Sequence, residues 1–504
     1  MNDADSPEGR PPNLLLLMTD QQRADTIVPG GPCLTPHLQS LAAAGASFTR
    51  CYATNPICSP SRGSLYTGLL PHAHGMTDVT HAVEPTRADL KPGLPFWSRT
   101  LHEAGYRTGH FGKWHVERSD ELERFGFDEY EVDLRLTGVQ SSDLPLAPRV
   151  AVLQDGYREF LLAGVSDEPA SASRERYLFD RGIAFLEAAS RDPQRPWALV
   201  VSTEAPHDPY LVPRELYERY DPDRLELPAS AADDLADRPA IYRRIQRTWD
   251  ALDRDAVVQA TACYYAACSG IDDQVGRILA ALRASGQEDD TLVVFTSDHG
   301  DYLGAHGLWL KGVAPFEEAY KVPLVLRGPG IPRGLQVDAP VSLLDLPRTL
   351  VRLLLGTDFG GHGRDLGPWL EGREGAGEAF AEFHGQRLGY SQRIVWRGPH
   401  KYVFNGFDFD ELYDLEADPF EQRNLAAEPA ARPLARALAA RMWQVVRDTG
   451  DRTLGEAQYG MFRFAPVGPE GVDEAAAETA ASGAAAVRGD EVGEHGANDE
   501  EETT

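Results

Sequence analysis

Four stretches of this sequence carry residue types suited to chemistry on an anion. Asp20-Gln21 directly follows the apolar run Asn13–Thr19, and Asp298-His299 follows the run TLVVFT at residues 291–296 after Ser297. Carboxylates and an imidazole at distant strand ends can share one divalent cation if the fold brings them together. Cys58 opens the third stretch, Cys58-Ser59-Pro60-Ser61-Arg62-Gly63-Ser64-Leu65-Tyr66-Thr67-Gly68. A helix opening from Ser61 would aim free backbone N–H groups at an anion beside the thiol. Lys113 and His115 stand two apart, which puts both on one side of an extended chain. Each feature also has a plain reading. Asp20 caps a turn, Asp298 forms an Asx-turn before Gly300, Cys58 is a small buried thiol, and Lys113 with His115 is a surface pair.

The elements that must position these residues alternate. Asn13–Thr19 is short, apolar inside and ends at Asp20, as a buried strand does. Thr35 is placed to cap a helix with Pro36 at its first position, Leu38, Leu41 and Ala42 on one face and Gly45 as the stop. Residues 197–202, 291–296 and 323–326 read as strands, residues 263–282 as a helix, and Gly105 ends a helix running from Ser98. This rhythm predicts an α/β fold: a large, mostly parallel sheet flanked by helices. Past Gly375, residues 394–396, 401–404 and 411–415 read as short antiparallel strands, and residues 430–449 as a closing helix with Pro433 in its first turn. They predict a smaller C-terminal α+β domain with a short antiparallel sheet. The expected divisions are a loose arm (1–12), the catalytic domain (13–375), the smaller domain (376–465) and a disordered acidic tail (466–504).

Among the 504 residues 42% are hydrophobic and 25% charged, which is a globular composition. The formal charge of -29 argues against nucleic acid, which needs clustered Lys and Arg. Part of that charge is local: from Val467 onward there are eleven acids and one base, Arg488. An acidic body repels anions at long range, so an anion site here must be built from nearby positive groups. The longest strongly apolar run, Leu14 to Met18, is too short to cross a membrane and lacks the flanks of a signal peptide. Five cysteines, odd in number and without zinc spacing, predict a reduced, cytoplasmic chain.

The segment from Cys58 to Gly68 resembles the first signature of the sulfatase family, of the alkaline-phosphatase-like superfamily: Cys-x-Pro-x-Arg followed by x-x-Leu-x-Thr-Gly. Gly105-Tyr106-Arg107-Thr108-Gly109-His110-Phe111-Gly112-Lys113-Trp114-His115 is similar to its second, Gly-Tyr-x-Thr-x-x-x-Gly-Lys-x-His. Further likeness lies in Thr35-Pro36-His37-Leu38, in Ala205-Pro206-His207-Asp208-Pro209, in His306-Gly307 with Lys311, and in Glu411 to Leu415 with Asp418-Pro419 and Asn424-Leu425. The resemblance runs roughly from residue 13 to 425.

The resemblance implies a sulfuric ester hydrolase acting on a small sulfated substrate. Cys58 would be converted to formylglycine by a maturation enzyme that reads Pro60 and Arg62. One hydroxyl of the hydrated aldehyde would attack sulfur to give a covalent sulfate, and the second would expel it. Asp20, Gln21, Asp298, His299 and the Cys58-derived group would hold one divalent metal ion. Arg62, Lys113 and Lys311 would neutralise the sulfate and the leaving oxygen. His207 with Lys311 would protonate the departing alcohol, and His115 would take the proton of the second hydroxyl.

One departure stands out. Many sulfatases carry paired acids and an Asp–Asn pair where this chain has Asp20-Gln21 and Asp298-His299. Fewer hard oxygens weaken the case for calcium and admit manganese, magnesium or zinc. The pattern resembles choline sulfatases and phosphonate monoester hydrolases, so phosphonate or phosphodiester hydrolysis is the second reading. The third is an unmatured, inactive binding protein. Residues 136–173 and 222–255 are expected at the pocket mouth. His72 and His74 are read as structural, and His384 as either a satisfied histidine or a late arrival at the pocket.

Overall fold

The computed structural model describes residues 10–81, 85–132, 145–373, 375, 377–454 and 465–472. The expected arm through residue 9, the acidic tail from residue 473, and residues 136–144 of the expected mouth lie outside the described residues.

Eight strands form the main sheet: Asn13–Thr19 (β1), Ala46–Phe48 (β2), Arg107–Gly112 (β3), Glu129–Glu131 (β4), Trp197–Ser202 (β5), Thr291–Ser297 (β6), Leu324–Arg327 (β7) and Leu335–Val337 (β8). Their order across the sheet is β8-β2-β7-β6-β1-β5-β3-β4. Neighbours run parallel except for the two pairs made by β7. The sheet is therefore mixed and mostly parallel, with helices on both faces, in line with the alternating pattern.

The period of two along β1 divides the core. Leu14, Leu16 and Met18 face one apolar cluster with Leu65, Trp97 and Leu350. These come from helices Cys58–Thr67 (α2), Trp97–Glu103 (α3) and Leu346–Leu355 (α6). Leu15 and Leu17 face the other cluster with Leu38, Leu178 and Ile278. These come from Pro36–Ala43 (α1), Arg174–Ala189 (α4) and Arg254–Ala284 (α5). A strand covered on both faces must be apolar at every position, and β1 is fully buried throughout. Truncating Leu16 to Ala would cost about 2–5 kcal/mol.

Three local expectations are corrected. The Thr35 hydroxyl does not cap α1; it donates to the Thr26 carbonyl at 2.8 Å. The Asp272 carboxylate of α5 accepts the free N–H groups of His37 and Leu38 instead, at 3.1 and 2.7 Å. A cap donated across the fold leaves no trace in local sequence. Gly45 does follow α1, but its need is close packing: a Cβ there would lie 2.1 Å from the Leu326 carbonyl oxygen. The helix expected at residues 263–282 is one long helix, α5, whose capping Asp253 accepts from Ala256 N–H at 2.8 Å.

The second sheet is antiparallel and sequential: Glu378–Phe383 (β9), Gln392–Arg397 (β10), His400–Asn405 (β11) and Glu411–Asp414 (β12). The sequence pattern had missed β9. Helix Arg432–Asp448 (α7) covers one face through Leu438, Met442 and Trp443, with Pro433 in its first turn. The other face shares a cluster with Tyr52, Tyr242 and Phe316.

Candidate active site

Strands β1 and β6 are parallel neighbours with Thr19 opposite Ser297, so Asp20 and Asp298 leave the sheet side by side. Cys58 joins them because α2 starts at Cys58 itself, not at Ser61; Ile57 occupies the N-cap position. Cys58 thus sits where the helix dipole and free N–H groups point. Its Sγ lies 3.2 Å from His299 Nε2 and 3.7 Å from Asp20 Oδ1. His299 Nε2 is also 3.7 Å from Oδ1 of both Asp20 and Asp298.

The charges around these atoms are ordered. Oδ2 of Asp298 takes Arg62 Nε at 2.7 Å, and Oδ2 of Asp20 takes Arg62 Nη2 at 3.2 Å and Lys113 Nζ at 2.7 Å. Asp20 Oδ1 is turned toward Cys58 and His299, and Asp298 Oδ1 accepts the N–H groups of Gln21 and His299 at 3.1 and 2.9 Å. His299 donates Nδ1–H to the Gly300 carbonyl at 2.9 Å, which leaves the Nε2 lone pair for the centre. Burial alone would push the Asp20 carboxyl upward, but Lys113, His207 and Arg62 outweigh it and hold it well below the ordinary range. Two carboxylates, an imidazole and a sulfur, with ligand atoms within 4.8 Å of one another and all four residues buried, fit a divalent cation.

Gln21 leaves β1 in the left-handed region at φ 71°, a conformation of the kind held at functional sites. Its Nε2 donates to Asp301 Oδ2 at 2.5 Å and its Oε1 accepts from Lys311 Nζ. Asp301 is in turn held by Tyr210 Oη at 2.5 Å and by the Leu303 and Leu310 N–H groups. A chain of contacts therefore fixes Lys311 against His207, whose Nε2 lies 2.5 Å from Lys311 Nζ. The other ring nitrogen, Nδ1, donates to the Asp208 carbonyl at 2.6 Å. Burial and Lys311 work against a second proton on His207, but Asp208 and Asp20 hold its pKa above the ordinary value. At 2.5 Å the two nitrogens form a short contact that brings both side chains to one point of the cleft.

Lys113 and His115 both face the cleft, but not as an extended pair. Strand β3 ends at Gly112, and His115 has φ 52°. Its Nε2 lies 3.1 Å from His81 Nδ1, while its Nδ1 is buried without a partner. Burial, then Lys113 and Arg62, push the His115 imidazole well below its ordinary pKa, so it stays neutral and ready to accept a proton.

The cleft above these groups is about 1600 Å³, and its walls include Phe160, Arg174, Glu204, Arg118, Gln386 and Arg387. No residue between 222 and 255 lines it, contrary to expectation. That segment instead braces other loops: Gln246 donates to the His306 carbonyl and Tyr242 to Glu411. His384 faces away from the cleft wall, 3.0 Å from Glu382 Oε2. His74 is packed on α2 and donates to Ser64 Oγ, and burial pushes its pKa down to about 3. His81, Asp208, Tyr210 and the support given by Asp301 escaped the sequence reading. The Pro206-His207-Asp208 run carried the one available signal, for Asp208.

The family model described as Sulfatase matches residues 12–357. The chain is 32% identical over 442 residues to a choline-sulfatase of Rhizobium meliloti, covering 83% of each chain. It is 31% identical over 433 residues to an uncharacterized sulfatase of Escherichia coli, covering 82% of this chain and 83% of the relative. Among solved structures it resembles a phosphonate monoester hydrolase from Silicibacter pomeroyi, with a TM-score of 0.73 and 25% identity over 88% of this chain and 96% of the other. The match spans the strand ends and the helix start that build the cleft, and the chain belongs to the sulfatase family, the hydrolases of sulfuric esters.

Proposed function

We propose that Cys58 is matured to formylglycine by a formylglycine-generating enzyme and that the protein hydrolyses a small sulfate ester beside one divalent metal ion. The observation that carries this reading is the meeting of Cys58 Sγ with His299 Nε2 and the Oδ1 atom of Asp20, under the positive charge of Arg62 and Lys113. Sγ marks the position that one oxygen of the hydrated aldehyde would take on Cβ. The hydrate supplies the nucleophilic hydroxyl, and a divalent cation supplies Lewis acidity to the sulfate and to that hydroxyl. Asp20, Asp298, His299 and the Cys58-derived group would hold the ion. Gln21 adjoins them through the second lone pair of Oε1, the first being taken by Lys311. A mixed oxygen and nitrogen set favours manganese or magnesium, with calcium next.

The chain's own residues then divide the work. Arg62 and Lys113 stay charged because their carboxylate partners are buried with them, and they fix Asp20 and Asp298 in place. His207 with Lys311 delivers a proton to the leaving oxygen. His115 accepts a proton at Nδ1, the ring atom without a partner. Residues 13–375 hold this chemistry, and 376–465 form a second part that reaches the cleft through Gln386 and Arg387. A cytoplasmic setting with the thiols reduced accords with the five free cysteines. No helix among the described residues is long and apolar enough to cross a membrane.

Mass spectrometry of the peptide holding Cys58, on protein made with a maturation enzyme, tests the proposal: a mass loss for the aldehyde should accompany activity. An unmodified thiol in fully active protein would overturn it. Phosphonate or phosphodiester hydrolysis is the second reading, favoured by the likeness to a phosphonate monoester hydrolase. Paired kinetics on aryl sulfate and aryl phosphonate esters separate the two.

A further inference from the structure

One part of the cleft wall is built from two segments far apart in sequence. One is the turn at residues 78–81, tied to the nucleophile because Thr80 N–H donates to Ser59 Oγ at 3.2 Å. The other is the β9–β10 hairpin. Buried Asp78 joins them: its carboxylate accepts Arg387 N–H at 2.9 Å and pairs with Arg87 at 2.9 Å. Arg87 also donates to the His384 carbonyl at 3.2 Å. Arg118 closes the same corner by donating from Nε to the Thr80 carbonyl at 2.7 Å.

This construction sets Arg387 with some backbone cost. The hairpin turns so tightly that a Cβ at Gly385 would lie 1.7 Å from the Leu388 carbonyl oxygen. Arg387 itself adopts φ 63°, a region that disfavours any residue with a Cβ. The hairpin holds it there by the Asp78 contact. The side chain lines the cleft, is exposed, and makes no ion pair among the described residues. Arg387 lines the same cleft as the His81–His115 pair, whose ring nitrogens lie 3.1 Å apart.

The acids of the cleft do not answer this charge. Glu204 pairs with Arg174, Glu117 with Arg124, and Asp208 with His207 and Lys311. Asp120 is exposed on the rim and makes no ion pair among the described residues. A net acidic chain that keeps an arginine unpaired, in a strained turn, beside an anion site has arranged positive charge for a ligand. The cleft volume of about 1600 Å³ exceeds the roughly 300–1,000 Å³ usual for small-ligand pockets. There is room for an alcohol that reaches from Cys58 to the hairpin.

Resting on the sulfatase reading of the site, we infer that the substrate's alcohol carries a second anionic group, a carboxylate or a further sulfate, held by Arg387 on the β9–β10 hairpin. A guanidinium offers that group a paired, charge-assisted hydrogen bond, and a quaternary ammonium such as choline would be repelled there.

The test compares kcat/KM of mature enzyme on glucose sulfate, a disulfated glucosamine, a sulfated uronic acid and choline sulfate. The two doubly anionic sugars should lead, and the better of them names the second group. Arg387→Gln should cut the ratio of doubly to singly anionic kcat/KM by about tenfold to a hundredfold, mainly through KM, and Arg387→Lys should restore part of it. Preference for choline sulfate, dependent on Asp120, would overturn the inference, as would a ratio unchanged in Arg387→Gln. Turnover of 4-nitrophenyl sulfate tests the underlying reaction separately. If that reaction fails, equilibrium binding of the sulfated uronic acid to wild type and Arg387→Gln still decides the anchor: equal affinities would overturn it.

Discussion

The end of the parallel sheet and the antiparallel hairpin face one cleft and handle charge in opposite ways. At the ends of β1 and β6 every charge is buried and answered. Arg62 bridges Asp20 and Asp298, and Lys113 adds a second cation to Asp20. On the hairpin, Arg387 is exposed and makes no ion pair among the described residues. Buried, mutually compensated charge resists displacement and suits a reaction centre whose geometry must not drift. Exposed charge on a loop can meet varied ligands and can change without unfolding the protein. The difference teaches where to look for mechanism and where to look for substrate choice.

Breaking the buried side should cost most. Cys58→Ala should lower kcat on the order of 10⁴-fold or more while leaving the fold intact by circular dichroism, since it removes the nucleophile outright. Arg62→Met should cost stability as well as rate: two buried carboxylates lose their common partner, worth about 3–5 kcal/mol in urea melts. A melt unchanged within 1 kcal/mol would show that the buried charges are not compensated in this way. His115→Ala and His207→Ala should each lower kcat about 10²- to 10⁴-fold, as expected for a lost base or acid. On the exposed side, the Arg387→Gln ratio change is the corresponding, smaller effect.

The smallest effect sharpens the comparison at a junction between the two regions. His72, which follows α2, donates to Glu382 of β9 at 2.5 Å, and both are buried. Glu382 also accepts from His384, while Asp451 nearby is taken by Arg393. Although the ligand atoms of His72, Glu382 and Asp451 lie within 4.8 Å of one another, the buried Arg393 cation already supplies the positive charge there. Burial opposes charge on His72, but Glu382 outweighs it and raises the pKa. That stability is fully present below the unfolded histidine value, about 6.5, and is lost as pH rises through the folded value. Burial would likewise raise Glu382, yet His384 and His72 hold it well below its ordinary range. Its contribution is present above about 4.3 and is lost as pH falls through the depressed value. The pair therefore supports the fold best between about pH 4.3 and 6.5. In thermal melts across pH, His72→Gln should flatten the alkaline limb of the stability curve; an unchanged limb would mean that the junction is not ionic.

The reaction centre was legible because its residues adjoin strong local patterns. Asp20 and Asp298 each end a continuous apolar strand, and Cys58 to Gly68 is a contiguous signature. The parallel arrangement that makes those strand ends meet follows from the alternation of strands and helices. What stayed hidden depends on contacts made across the fold. Asp272 caps α1 from a helix more than two hundred residues away, and no local spacing announces it. The positive φ of His115 breaks the period-two rule by which Lys113 and His115 were placed on one side of an extended chain. His81 matters only because His115 turns toward it. The hairpin was invisible because β9 was missed, and an arginine between Gln386 and Leu388 looks like any surface charge.

The claim at the centre is that a cation sits among Asp20, Asp298, His299 and the group derived from Cys58. Anomalous diffraction from crystals of mature protein grown with manganese tests it directly. The account predicts one strong peak within bonding distance of Asp20 Oδ1, Asp298 Oδ1 and His299 Nε2, lost in Asp298→Ala. A peak elsewhere in active crystals, with none within bonding distance of these three atoms, would contradict it.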